Sequence, residues 1–135
     1  MNQLDKKKER HRIIKARNQL TQIQCEAAKK HCAKAIAQLH VFKSSQHIAF
    51  YQSIRHELDP NMAVSICHTL QKTTYLPKLN PRNHTMDFFP FDQQTPLVKN
   101  EYGILEPFTK NGQKPFPCHQ LDLVFVPLVA VDPKG

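Results

Sequence analysis

Residues 121–132, Leu-Asp-Leu-Val-Phe-Val-Pro-Leu-Val-Ala-Val-Asp, form the longest apolar run in this chain of 135 residues. A run so rich in β-branched side chains suits a strand buried on both faces, the pattern of a parallel sheet. Pro127 has no N–H for a ladder and limits the expected strand to 121–126. Residues 132–135, Asp-Pro-Lys-Gly, then read as a turn leaving the strand at its carboxyl end. In open α/β sheets, ligands sit at that end.

The chain upstream alternates helices with strands. Residues 2–18 are polar and helix-prone, with only Leu4, Ile13 and Ile14 as apolar points, so this helix needs something to dock on. Thr21-x-x-Gln24 has the form of a capping box and opens a second helix over 22–39. Ala27, Ala35, Ile36 and Leu39 are expected to make its apolar side. Residues 43–45 end the helical region. A strand follows over 47–53, then a polar turn over 54–59. Asp59 as N-cap and Pro60 at the first position open a further helix, with Met62, Ala63, Ile66 and Leu70 inward and an end near Lys72. Residues 73–76 read as a short strand stopped by Pro77, 86–91 as another, and 92–99 as a loop. Strand and helix alternation of this kind argues for an α/β domain with a largely parallel sheet flanked by helices.

One domain over 1–135 is expected for this length. The charged amino terminus lacks an apolar stretch of the secretory kind, and no run reaches the roughly 18 apolar residues of a membrane span. A cytoplasmic location follows, with Cys25, Cys32, Cys67 and Cys118 expected as reduced thiols. Their spacing gives no zinc site. The net charge of +8 is unevenly placed: residues 1–43 hold eleven Lys/Arg against three Asp/Glu, and the rest of the chain is balanced. The basic third suits an anionic partner such as a nucleotide, a folate-type polyanion, nucleic acid or a membrane surface.

Four stretches are candidates for chemistry. Lys6, Lys7, Lys8, Glu9 and Arg10 offer ammonium and guanidinium groups suited to phosphate oxygens, and Lys6 and Arg10, four apart, can meet on one helix face. The plainer reading is a solvated basic helix. Gln52 and Glu57 flank a segment at the expected carboxyl end of a strand, where Glu57 can accept N–H donors of a heterocycle. The plainer reading there is a polar loop. Asn83-His84-Thr85-Met86 can lend polar groups and a thioether to a pocket, although methionine is commonly core. Tyr102-Gly-Ile-Leu-Glu-Pro107 reads as a turn with a buried anchor, most simply a loop staple. The eight histidines have no metal-ligand spacing, and Gly103, Gly112 and Gly135 lie too far apart for a phosphate loop.

In order and spacing these stretches resemble the 5-formyltetrahydrofolate cyclo-ligase (methenyltetrahydrofolate synthetase) family. The resemblance rests on Arg10 with Leu20-Thr21, on Ile48-Ala-Phe-Tyr-x-Ser, on Glu57-Leu-Asp, and on Tyr75-Leu-Pro with Met86-Asp-Phe. It extends through Gly103-Ile-Leu-Glu-Pro107 and Leu121-Asp-Leu-Val with Val126-Pro-Leu-Val-Ala-Val-Asp-x-x-Gly135. Val131 stands where such proteins usually have Phe. The resemblance implies a Rossmann-like three-layer fold and a cytoplasmic, monomeric, ATP-dependent ligase of one-carbon folate metabolism. Its reaction would close 5-formyltetrahydrofolate to 5,10-methenyltetrahydrofolate with Mg²⁺ present. It assigns Lys6, Lys7, Lys8, Glu9 and Arg10 to ATP, and Arg10, Gln52, Glu57 and Met86 to the folate.

Such proteins continue past the position of Gly135 into a Gly-rich loop with a metal-binding Asp. The expectation is therefore a domain incomplete at its carboxyl end, with no metal ligand of its own, marginal stability and inefficient turnover of ATP. Two alternatives from other classes are a nucleic-acid-binding module using the basic helix and an inactive remnant. No membrane partner is expected.

Overall fold

The computed structural model describes residues 3–132. Its elements are α1 (Gln3–Arg17), α2 (Gln22–Gln38), α3 (His40–Ser44), β1 (His47–Ala49), α4 (Asn61–Thr69), β2 (Thr73–Asn80), β3 (Thr85–Phe91), β4 (Leu97–Lys99), β5 (Leu105–Pro107) and β6 (Leu123–Val124). Asn2, at the expected start of the first helix, and residues 133–135 of the expected final turn lie outside the described residues.

A four-stranded sheet has the order β3-β2-β1-β6, and β4 pairs with β5 in a separate two-stranded sheet. β1 runs parallel to both β2 and β6, while β2 and β3 are antiparallel. The sheet is mixed and mostly parallel, flanked by helices, as the alternation of elements predicts. Side chains alternate across it. Ile48, Phe50 and Leu76 point to one face and form a core with Ala33 and Ile36 of α2, Phe42 of α3, and Ala63, Val64 and Cys67 of α4. On the other face Phe116, in the Pro-rich segment before β6, stacks on His47 (4.9 Å between centroids) and lies against Tyr75 (4.4 Å). The layer opposite the helices is thus supplied, among the described residues, by irregular chain.

The local rules read from the sequence hold at several ends. Thr21 closes the capping box on α2: its Oγ1 accepts from Gln24 N (3.2 Å), and its own N–H donates to Gln24 Oε1 (2.9 Å). At α4 the start shifts by one residue from the expected Asp59 N-cap: Pro60 is the N-cap and Asn61 the first helical residue, while Asp59 Oδ1 accepts from Asn61 N (2.9 Å) just ahead of the helix. Ser45 ends α3.

The structure corrects the sequence reading at several points, one of them the expected loop 92–99, whose last three residues form β4 and pair with β5. The packed side of α2 runs through Cys25, Lys29, Cys32, Ala33 and Ile36, whereas Ala27, Ala35 and Leu39 are exposed. The cysteines act as small apolar residues here, and Lys29 is drawn inward by its ion pair with Asp59 (2.9 Å). In α4 the deepest residues are Ala63, Val64 and Cys67; Leu70 is exposed, because the helix stops at Thr69 and turns away. β1 is shorter than 47–53, although Phe50 N still donates to Tyr75 O (2.9 Å).

Pro77 does not stop β2. Leu79 N donates to Glu106 rather than to β3, so the nitrogen of Pro77, two residues earlier, also faces away from β3. β1 has already ended opposite Tyr75, and no ladder donor is lost. Last, the run 121–132 is not buried on both faces. β6 is an edge strand with one neighbour among the described residues, and Val124, Val126, Leu128 and Val131 stand exposed. Only Leu123 and Phe125 turn to the core, where Phe125 stacks on Phe50.

Candidate functional site

The strands β6, β1 and β2 are mutually parallel, so their carboxyl ends open on one side of the molecule. The segment after β6, the loop after β1 and the far half of β2 all emerge there. α1 lies along the same side: Arg17 Nη2 donates to Arg55 O (3.1 Å) in the loop after β1. Three clefts are arranged around these segments.

The first, about 430 Å³, lies between α1 and the chain after β6. Lys6, Arg10 and Ile13 face Val129, Ala130, Val131 and Asp132 across it. Helical spacing of four and three residues puts the first three on one stripe. Among the described residues Lys6 and Arg10 have no carboxylate partner, so both cations are available to an anion. Glu9 also lines the cleft, but Arg12 holds its carboxylate through Nε and Nη2 and pulls its pKa below the usual range. Lys7 and Lys8 are exposed and outside the lining.

The second cleft, about 250 Å³, sits between α2 and the loop after β1. Arg55 and His56 both take left-handed backbone angles, which turn the loop tightly. Glu57 closes that turn: its N–H donates to Ile54 O (2.9 Å), and its Oε2 accepts from Ile54 N (3.1 Å). The carboxylate is therefore held in place at the cleft wall, with Oε1 left for a ligand. Tyr51 lies behind this loop, donating its hydroxyl to Leu58 O. Burial pushes its pKa up to about 12. Gln52 is half-buried and lines none of the three clefts.

The third cleft, about 350 Å³, opens between the β2–β3 ribbon and the turn joining β4 to β5. Pro77, Leu79 and Met86 form one side; Asn100, Tyr102 and Ile104 form the other. Met86 and Tyr102 are 62% and 64% exposed, so an apolar thioether and an aromatic ring stand open at its rim. Glu106 is buried at its base.

The sequence-expected residues are thus divided. Lys6 and Arg10 meet in one cleft, Glu57 is in a second and Met86 in a third; no single cleft holds Arg10, Gln52, Glu57 and Met86 together. Reading the chain missed two features. The stretch 129–131, between the expected strand end at 126 and the turn from 132, carries no functional expectation, and neither does Asn100, just past the expected loop 92–99. The signal for Asn100 was its place three residues before Gly103, the Asx-turn pattern. Among the described residues no group of three His, Cys, Asp or Glu side chains is placed to hold a metal ion. Also among them, no helix is long and apolar enough to cross a membrane.

The 5-formyltetrahydrofolate cyclo-ligase family model matches residues 2–135. The 5-formyltetrahydrofolate cyclo-ligase of Haemophilus influenzae is 32% identical over 136 residues, which cover 100% of this chain and 72% of that protein. Two solved structures share the fold. The 5,10-methenyltetrahydrofolate synthetase of Aquifex aeolicus superimposes with a TM-score of 0.73 at 19% identity, over 88% of this chain and 58% of that one. That of Mycoplasma pneumoniae gives 0.61 at 20% identity, over 92% and 64%. The chain spans less than two thirds of the length of either solved relative. No match supports the nucleic-acid-binding alternative. On the family match over nearly its whole length, the chain belongs to the 5-formyltetrahydrofolate cyclo-ligase family.

Proposed function

We propose that this protein takes part in the ATP-dependent closure of 5-formyltetrahydrofolate to 5,10-methenyltetrahydrofolate, as a cytoplasmic monomer of one-carbon folate metabolism. The observation that supports this most directly is the Lys6–Arg10 pair, facing the chain after β6 at the carboxyl end of the parallel strands. An amide oxygen is a poor leaving group and phosphate a good one. In the proposed reaction the formyl oxygen attacks the γ-phosphorus of ATP and ADP departs. The neighbouring nitrogen then attacks the activated formyl carbon and gives up its proton. Phosphate leaves, taking the formyl oxygen with it, and the ring closes.

The work of the protein in such a reaction is positioning and charge stabilisation. Lys6 and Arg10 hold the phosphates, the lysine as a point charge and the arginine as a planar fork. Lys7, Lys8 and Glu9 play no direct part in this assignment, since the first two face solvent and the third is held by Arg12. Mg²⁺ arrives with ATP as part of the substrate. Glu57 Oε1 accepts from the folate's heterocycle, and the third cleft receives its flat aromatic portion between Met86 and Tyr102. Gln52, behind the loop, shapes this side of the site without direct contact.

The test mixes the purified protein, at a concentration close to that of the folate, with MgATP and 5-formyltetrahydrofolate. The absorbance of the methenyl product and the release of ADP are followed together. The expected result is one ADP per ring closed and no product without ATP. Absence of product with both substrates present would overturn the proposal.

A further inference from the structure

Glu106 and Asn100 are joined in a way that the ligand-contact assignments above do not explain. Glu106 is 7% exposed, and a buried carboxylate is costly unless hydrogen bonds satisfy it. Its Oε1 accepts from Leu79 N (2.9 Å) in β2 and from Asn100 Nδ2 (2.8 Å) in the turn between β4 and β5. Leu79 N lies on the side of β2 that β1 leaves open, so a side chain serves there as a strand would. The four-stranded and two-stranded sheets share no ladder. Glu106 is a direct bond between them at the level of the third cleft. A second tie, Lys78 Nζ to Thr109 Oγ1 (2.6 Å), lies beyond the end of β5 and does not touch the turn.

The bond to Glu106 also fixes which way the Asn100 amide faces. With Nδ2 donating to the carboxylate, Oδ1 is turned toward the turn and accepts from Tyr102 N (2.9 Å) and Ile104 N (3.0 Å). Gly103 completes the turn at φ +75°, donating to Asn100 O (2.9 Å). A continuous chain of bonds therefore runs from the β2 backbone through Glu106 and Asn100 to the backbone of Tyr102. Tyr102 forms one rim of the cleft, and Met86, on β3, forms part of the other.

We infer that Glu106 and Asn100 are a pin that sets the gap between Tyr102 and the β2–β3 ribbon, and so are positioning residues for the flat ring of the folate. This rests on the reading of the third cleft as part of the folate site. Both residues stand in the cleft wall, Asn100 at the side and Glu106 at the base, and their positioning effect runs through Tyr102. Glu106→Gln keeps the oxygen acceptor and preserves the pin. Glu106→Leu removes it. Asn100→Asp replaces the Nδ2 donor with a second carboxylate oxygen set against the first and drives the turn away.

The experiment uses the whole 135-residue protein and the three variants. It reads amide exchange at Tyr102 and Ile104, and the affinity for 5-formyltetrahydrofolate and for MgATP separately. Glu106→Leu and Asn100→Asp at neutral pH are expected to speed exchange at both amides. They should weaken folate binding on the order of 10-fold, with MgATP binding held within about twofold, since a small misplacement near a reacting ligand is costly only to that ligand. Glu106→Gln should match the wild type in every readout. Equal losses of folate and MgATP affinity in Glu106→Leu, or a Glu106→Gln protein that behaves like Glu106→Leu, overturn the positioning role. Unaccelerated exchange at Tyr102 and Ile104 in Glu106→Leu overturns the pin whatever the ligand. Wild-type protein that takes up no 5-formyltetrahydrofolate overturns the folate reading itself.

Discussion

Asp122 shows how one exposed side chain can tie two segments distant in the chain. Its Oδ2 accepts from the backbone N–H groups of His47 (2.8 Å) and Gln46 (2.9 Å), and its own N–H donates to His47 O (2.8 Å). It thereby registers the start of β6 on the start of β1. The two N–H donors favour the ionised carboxylate and pull its pKa below the ordinary aspartate value, His47 contributing most. A folded pKa depressed in this way stabilises the native state above the unfolded value, and the contribution is lost as pH falls through the folded one. Wild-type protein should therefore exceed Asp122→Asn in stability by a constant margin above about pH 5 and converge with it in acid. Urea midpoints measured from neutral pH downward check this; a margin independent of pH contradicts it. Cys67 marks the opposite environment: burial pushes its thiol up to about 11, in keeping with an inert core residue.

At the scale of elements, local chemistry was legible and burial was not. The capping box of α2 involves only Thr21 and Gln24, four positions in one turn, so the sequence alone reveals it. Thr21→Ala should cost about 1 kcal/mol in thermal or urea unfolding, the usual loss for an N-cap hydroxyl. A change smaller than a few tenths would show that α2 is held wholly by its packing. The inward side of α2 could not be read the same way. It depends on Asp59 arriving from 30 residues downstream to pair with Lys29, and on cysteines acting as apolar residues. Pro77 illustrates the same limit. Whether a proline stops a strand depends on which edge its nitrogen faces, and β1 decides that. For the site, the i, i+4 pair Lys6 and Arg10 was visible because both lie on one helix. The pin between Glu106 and Leu79 joins residues 27 apart in the chain, and sequence gave only a turn with an anchor.

For the whole molecule, charge and shape are arranged around the carboxyl ends of the parallel strands. The entire excess of +8 lies in residues 1–43, and α1, which bears much of it, buries no side chain. A helix whose few apolar residues, Ile13 and Ile14 among them, are at most half-buried draws little stability from packing. It touches the body of the protein through Arg17 at one end and through the cleft walled by 129–132 at the other. An anion held between Lys6 and Arg10 would give this helix a reason to lie where it does. The most direct measurement is a calorimetric titration of MgATP into the wild-type protein and into a Lys6→Ala/Arg10→Ala double variant, with melting curves of both. Saturable binding by the wild type, weakened at least on the order of 10-fold in the double variant at an unchanged melting temperature, is the result this account predicts. Equal binding by the two proteins, or none by the wild type, would contradict it.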